Sequence, residues 1–248
     1  MRDLATYEAE YVQPGFEDIQ VKYRRDRILT ELRKARARHI VEIGCGMQPL
    51  FLFFPSFDHY FFFEPGDLFY QNAARLAQDH GADRIHGFHM PFAFLEEVRA
   101  EKPDFIICSS LLHEVEEPAE LLDEIRKTAS SETLIHINVP NALSLHRRLA
   151  KAMGLLKDER DFSVRNTILQ QHRVFDREKL HVLIESCGLQ VVEEGSVLIK
   201  PFSHEQMWRL VNDRFLTPQM LDGLSRLAEE LPELGSEIWI NCRVGKPG

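Results

Sequence analysis

The residues whose types and spacing could do chemistry fall first in two short stretches. In HIVEIGCGM, His39–Met47, an apolar run of Ile40, Val41 and Ile43 leads straight into Gly44 and Gly46. Glycines at a strand end leave the backbone bare, so its N–H groups can approach a ligand closely. Further along, Tyr60–Phe63 is again apolar and ends in Glu64, followed by Pro65. An acidic residue at a second strand tip can hold both hydroxyls of a ribose, and beside a glycine bend it predicts a nucleoside crevice. Cys45, between the glycines, reads either as a small filler or as a reactive thiol.

These residues need a parallel sheet to position them. Residues 1–20 carry scattered aromatics and Pro14-Gly15, an arm or a lid over a site, and Val21–Ala37 has helical spacing with Ile28, Leu29 and Leu32 on one face. The arginines on the other face read as solvated. Strands are expected over His39–Ile43, Tyr60–Phe63, Ile85–His89, Asp104–Ser110 and Thr133–Val139. Helices are expected between them at Gln48–Ser56 (broken by Pro55), Asp67–His80, Phe92–Ala100 and Pro118–Ala129. DFIICSS is apolar enough to be a central strand buried on both faces. Five strands alternating with helices give an α/β fold with a doubly wound sheet. Beyond them come a helix-like LSLHRRLAKAMGLL, a polar segment, a helix at Asp176–Cys187, and strands at Leu189–Ile199 and Glu237–Val244. Helices at Ser203–Phe215 and Thr217–Glu230 separate those two strands. The simplest organisation is a single domain over 1–248, with 1–37 as an N-terminal arm and helix and 141–175 as a substrate-side insert.

The chain has 248 residues and a formal charge of −9, which argues against nucleic acid or an anionic membrane as a partner. Its four cysteines are scattered, without metal-ligand or disulfide spacing. The polar, acidic start has no leader character, and Leu50–Phe63 is too short and interrupted to span a bilayer, so a soluble, cytoplasmic protein is expected, with a homodimer left open.

VEIGCG (Glu42, Gly44, Gly46), FFFEP (Glu64) and DFIICSSLLHEVEEP (Asp104–Pro118) together resemble class I S-adenosylmethionine-dependent methyltransferases, over roughly residues 35–200. The third motif is similar to the fourth-strand segment of the small-molecule branch. The resemblance implies a mostly parallel, Rossmann-like seven-stranded sheet with a reversed final hairpin, and S-adenosylmethionine as cofactor. It implies Glu42, Gly44 and Gly46 beside the methionine moiety, Glu64 on the ribose, and Ser109, Ser110 and Leu111 beside the reacting methyl. The chain departs from the pattern at Met47 and Gln48, where a further glycine is common. It departs again at Phe88–Met90, where many relatives carry an acidic residue for adenine; stacking and backbone contacts would serve instead.

Methyl transfer to a hydroxyl needs alignment and a base, and a neutral histidine suits the second task. His113, His146 and His172 are the candidate catalytic residues, although His113 could equally cap its turn. The remaining histidines read as surface or satisfied strand positions. The insert from Asn141 to Phe175 holds seven basic and three acidic residues, a net of +4. It reads as a solvated face, or as a site for a small anionic or sugar-like acceptor bound by Asn141, Arg147 and Arg173. NVPNALSLHRRLAKAMGLL and QQHRVFD look like bacterial sugar- and polysaccharide-modifying methyltransferases. No metal is expected. A nicotinamide-dependent oxidoreductase and a non-catalytic cofactor-binding protein are the competing readings.

Overall fold

The computed structural model describes residues 15–245. The expected arm over residues 1–20 therefore lies largely outside the described residues. From Phe16 onward the chain is helical, because α1 spans Phe16–Ala35 and begins five residues ahead of the expected start. Seven strands form one sheet: β1 (His39–Ile43), β2 (His59–Phe63), β3 (Ile85–Phe88), β4 (Phe105–Ser109), β5 (Leu134–Pro140), β6 (Leu189–Val197) and β7 (Glu237–Val244). Their order is β3-β2-β1-β4-β5-β7-β6, and β7 runs against both of its neighbours. The carboxyl ends of the other six strands share one rim, the side on which open α/β sheets bind ligands.

Alternation along the strands sorts the core into two faces. Ile40, Tyr60, Phe62, Phe105 and Ile107 meet Ile28, Leu29 and Leu32 of α1 and Ala73 and Ala77 of α2 (Asp67–Gly81). Val41, Ile43, Ile106 and Cys108 meet Val98 of α3 (Glu96–Ala100), Leu122 and Ile125 of α4 (Pro118–Thr128), and Leu180 and Ile184 of α7 (Arg177–Ser186). Between β5 and α7 lie α5 (Leu145–Ala152) and α6 (Val164–Ile168). A third cluster joins α1 to α8 (His204–Asn212) and α9 (Pro218–Glu230) through Phe16, Tyr23, Met207, Leu221 and Trp239.

Three sequence expectations are corrected. Gln48–Ser56 is not a helix; one 3-10 turn, Leu50–Leu52, is all that forms. Prolines at 49 and 55 bracket it, and the Leu50 N–H is taken by the Glu42 carboxylate at 3.1 Å. Helix α3 starts at Glu96 rather than Phe92, because the Phe94 N–H is held 2.7 Å from the Glu124 carboxylate and leaves the helical path. The arginines of α1 are not all solvated: Arg24 is buried and donates through Nε at 2.8 Å to Glu237, which is itself fully buried at the start of β7.

Candidate active site

The β1 tip closes on the β2 tip by backbone first. Gly44 donates to the Phe63 carbonyl at 2.8 Å. Its φ of 74° is in the left-handed region that favours glycine. A Cβ at Gly44 would stand 3.8 Å from the Leu111 side chain, so the turn after β4 leans over the bend. The Glu64 carboxylate faces this bend: one oxygen accepts from the Gly46 N–H at 3.1 Å and the other from the Gly66 N–H at 3.0 Å. The side chain is 5 % exposed. A bare-backbone bend, a carboxylate turned into it and an overhanging apolar turn make a cradle of the kind a nucleoside fits.

The loop after the bend is held from two sides. Asn72 of α2 donates to the Met47 carbonyl at 2.9 Å. Glu42 lies under the loop, accepting from Leu50 N–H and from the Tyr60 hydroxyl at 2.7 Å. Burial pushes the Glu42 carboxyl up to about 8, opposed by the Tyr60 and Leu50 hydrogen bonds. Glu42 is therefore the underside support of the bend. Burial also raises the Cys45 thiol well above its ordinary range, so it stays protonated and serves as a filler.

At the β4 tip, Ser109 Oγ and the Ser110 N–H both donate to Asn138 Oδ1, at 2.7 and 2.8 Å. Ser110 has a φ of 54°. Asn138 passes the connection on by donating to Glu237, which also accepts from Gln20 at 2.5 Å and from Arg24. Neither Glu237 nor Arg24 is marked by any local motif; the only trace in the sequence is an acidic residue opening the apolar strand EIWIN. At the end of β3, Phe88 stacks on Phe63 with centroids 4.5 Å apart, and His89 stacks on Tyr70 at 4.4 Å while reaching Asp67 at 2.9 Å.

The three candidate bases separate. His113 is 3 % exposed, and its Nε2 lies 3.6 Å from Glu114. Its carbonyl accepts from the His172 N–H at 2.9 Å, so the backbone brings these two residues together, though the His172 ring is exposed. His146 is on α5. Burial, then the Lys200, His204 and Arg147 charges, press its imidazole well below the ordinary range.

The insert's positive charge is largely matched at home. Arg147 is buried and donates to the Glu159 carbonyl at 2.7 Å and to the Asp161 carbonyl, organising the loop ahead of α6. Lys151 pairs with Glu159 at 2.5 Å and Arg160 with Asp176 at 2.6 Å. Arg173 is exposed and donates to the Glu116 carbonyl at 2.7 Å. Both amide protons of Asn141 go to the Glu233 and Gly235 carbonyls, at 3.1 and 2.9 Å. The substrate contacts expected of Asn141, Arg147 and Arg173 meet side chains already engaged in holding the insert together, because each lies where a loop carbonyl needs a donor. A separate hollow between α8 and α9 is lined by apolar residues such as Phe202, Met207, Leu216 and Met220, and offers no acid, base or nucleophile.

A family model described as a methyltransferase domain matches residues 17–194, and the chain belongs to that family. No curated protein matches it in sequence. Solved structures share the fold at low identity. An S-adenosylmethionine-dependent methyltransferase from Aquifex aeolicus superposes with a TM-score of 0.57 at 10 % identity, covering 98 % of this chain and 100 % of that one. Magnesium protoporphyrin IX methyltransferase from Synechocystis PCC 6803, with S-adenosylhomocysteine bound, gives 0.58 at 12 %, covering 93 % and 88 %. The cyclase SpnF gives 0.53 at 12 %, covering 84 % and 75 %. Identities this low speak for the fold alone. Family membership, with the seven-stranded sheet, makes this a class I S-adenosylmethionine-dependent methyltransferase, and neither the nicotinamide nor the non-catalytic reading is favoured. Among the described residues no helix is long and apolar enough to cross a membrane, and no group of three or more His, Cys, Asp or Glu could hold a metal ion.

Proposed function

We propose that the protein methylates an oxygen of a small acceptor, anionic or sugar-like, with His113 as the base. Bound in the cradle, S-adenosylmethionine supplies a methyl group already activated on a sulfonium. What the protein must add is alignment and proton removal. Glu64 and the Gly44–Gly46 backbone would hold the nucleoside end. The Ser109–Leu111 turn, tied to β5 through Asn138, would set the wall beside the methyl.

The observation that carries this reading is the position of His113. It is buried on the same turn as Leu111, whose side chain overhangs the glycine bend, and this neighbourhood supports a base beside the proposed cradle. Glu114 beside its Nε2 would orient the ring toward the acceptor. His172, drawn to the same turn by its backbone, would border the acceptor's entrance.

The test is a methyl-labelled donor incubated with a panel of hydroxylated carboxylates, phosphates and sugars. Label recovered as a methyl ether or ester on an anionic or sugar product is the expected outcome. Label confined to nitrogen, sulfur or carbon, or to macromolecules, would overturn the reading.

A further inference from the structure

Helix α5 opens at the carboxyl rim, directly after β5, without the partners a helix N-terminus ordinarily has. Ser144 occupies its N-cap and is fully buried, yet its side chain caps no N–H, and its Oγ has no hydrogen-bond partner. Two residues on, the buried Nδ1 of His146 is likewise unpartnered. The first turn of α5 holds no acidic side chain, and Arg147 turns its guanidinium away toward the carbonyls of Glu159 and Asp161. A helix N-terminus is a positive pole lined with donors, and buried donors left unpaired are costly.

Across the rim, at the end of β6, lies Lys200. It is 2 % exposed, and its ammonium donates to His204 Nδ1 at 2.6 Å. His204 in turn donates through Nε2 to Glu17 at 2.9 Å, which fixes its tautomer with Nδ1 as acceptor. Burial first, and then the nearby Lys200, His204 and Arg147 charges, disfavour a proton on His146, so the imidazole is neutral and a weak base. A neutral imidazole with Nδ1–H can still donate a hydrogen bond. Lys200 lies outside the span matched by the family model, at 17–194.

We propose that the N-terminus of α5 and the end of β6 form the subsite for the acceptor's anionic group, a carboxylate or a phosphate. Ser144 Oγ and His146 Nδ1 are its donors and Lys200 supplies its charge. The inference rests on the small-acceptor reading above and narrows it. α5 begins beyond β5, one strand from β4, and Lys200 lies two strands further across. At roughly 5 Å per strand, an anion lying between the two would sit about 5–15 Å from the reacting methyl. That span suits a monocyclic hydroxy acid or a sugar phosphate. His146 thereby leaves the list of bases and becomes a substrate-orienting donor.

The experiment follows histidine side-chain nitrogens by NMR in the full-length protein with S-adenosylhomocysteine bound, during titration with inorganic phosphate and, separately, with benzoate. The expected result is a saturable shift of the His146 ring signals with one anion or both; which one responds distinguishes phosphate from carboxylate acceptors. Ser144→Ala and Lys200→Met should each weaken that response roughly tenfold, the size of a charge-assisted hydrogen bond, with S-adenosylhomocysteine affinity held within about twofold. Ser144→Ala alone suffices if Lys200→Met does not fold. No saturable His146 shift with either anion, or a shift that Ser144→Ala leaves unchanged, would overturn the proposal. Oxygen methylation of neutral acceptors without any His146 response would sink this subsite and spare the oxygen-methylation reading. A saturable response with label never found on oxygen would do the reverse.

Discussion

His113 and Glu42 show what a single buried titratable group does here. If His113 removes the acceptor proton, His113→Gln keeps the turn's shape and loses the base. Turnover should then fall by roughly 10²–10⁴, the usual range for general-base loss, while S-adenosylhomocysteine affinity is unchanged. Equal loss of cofactor affinity and turnover would mark His113 as a structural cap of its turn. Glu42 makes a prediction about pH. Its folded carboxyl is raised from 4.5 to about 8, chiefly by burial, so the folded state keeps a proton that the unfolded chain releases. Its contribution to stability is complete below the unfolded value and is lost as pH rises toward 8. At about 1.4 kcal/mol per pH unit the effect reaches a few kcal/mol. Glu42→Gln should flatten the fall in Tm between about pH 5 and pH 8; an unchanged slope in thermal melts would mean that Glu42 ionises freely in the fold.

At the scale of elements, the glycine bend, the Glu64 strand tip and the β4 turn were legible because each is local. Apolar runs ending in Gly, Glu or Ser fix a strand and its exit within a few residues. What was not legible is what ties elements far apart in sequence. Arg24 on α1 reads as one more surface arginine until β7 delivers Glu237 to it, 213 residues away. The same holds for the insert: its basic excess suggests an anion site, but folding places Glu159, Asp176 and loop carbonyls against Arg147, Lys151 and Arg160. Breaking the α1–β7 tie by Arg24→Met would leave Glu237 buried with an uncompensated charge. That should cost about 3–5 kcal/mol, read as a lowered urea midpoint, and a midpoint like wild type would mean that Gln20 and Asn138 suffice to hold Glu237.

Across the whole molecule, one rim gathers what the chain scatters. The tips of β1, β2 and β4 carry the cradle proposed for the cofactor. The ends of β5 and β6 bring Ser144, His146 and Lys200 to the same side, although the sequence holds Ser144 and Lys200 far apart. A lysine closing the buried run VLIK, immediately before Pro201, is the faint sequence sign of that second half. Carboxyl-rim binding follows from the sheet's topology, so the rim itself was readable from the strand pattern. The proposed acceptor subsite depends on which unpaired donors survive packing, and that is a property of the fold.

The measurement that bears most directly on this account is a calorimetric titration of S-adenosylhomocysteine into wild-type protein and into Glu64→Ala. Glu64 is the carboxylate turned into the glycine bend, so the variant should bind more than roughly tenfold more weakly, the worth of charge-assisted hydrogen bonds to a ribose. Equal affinity in the two proteins would contradict the cradle, and with it the placement of the methyl donor on which the acceptor side is built.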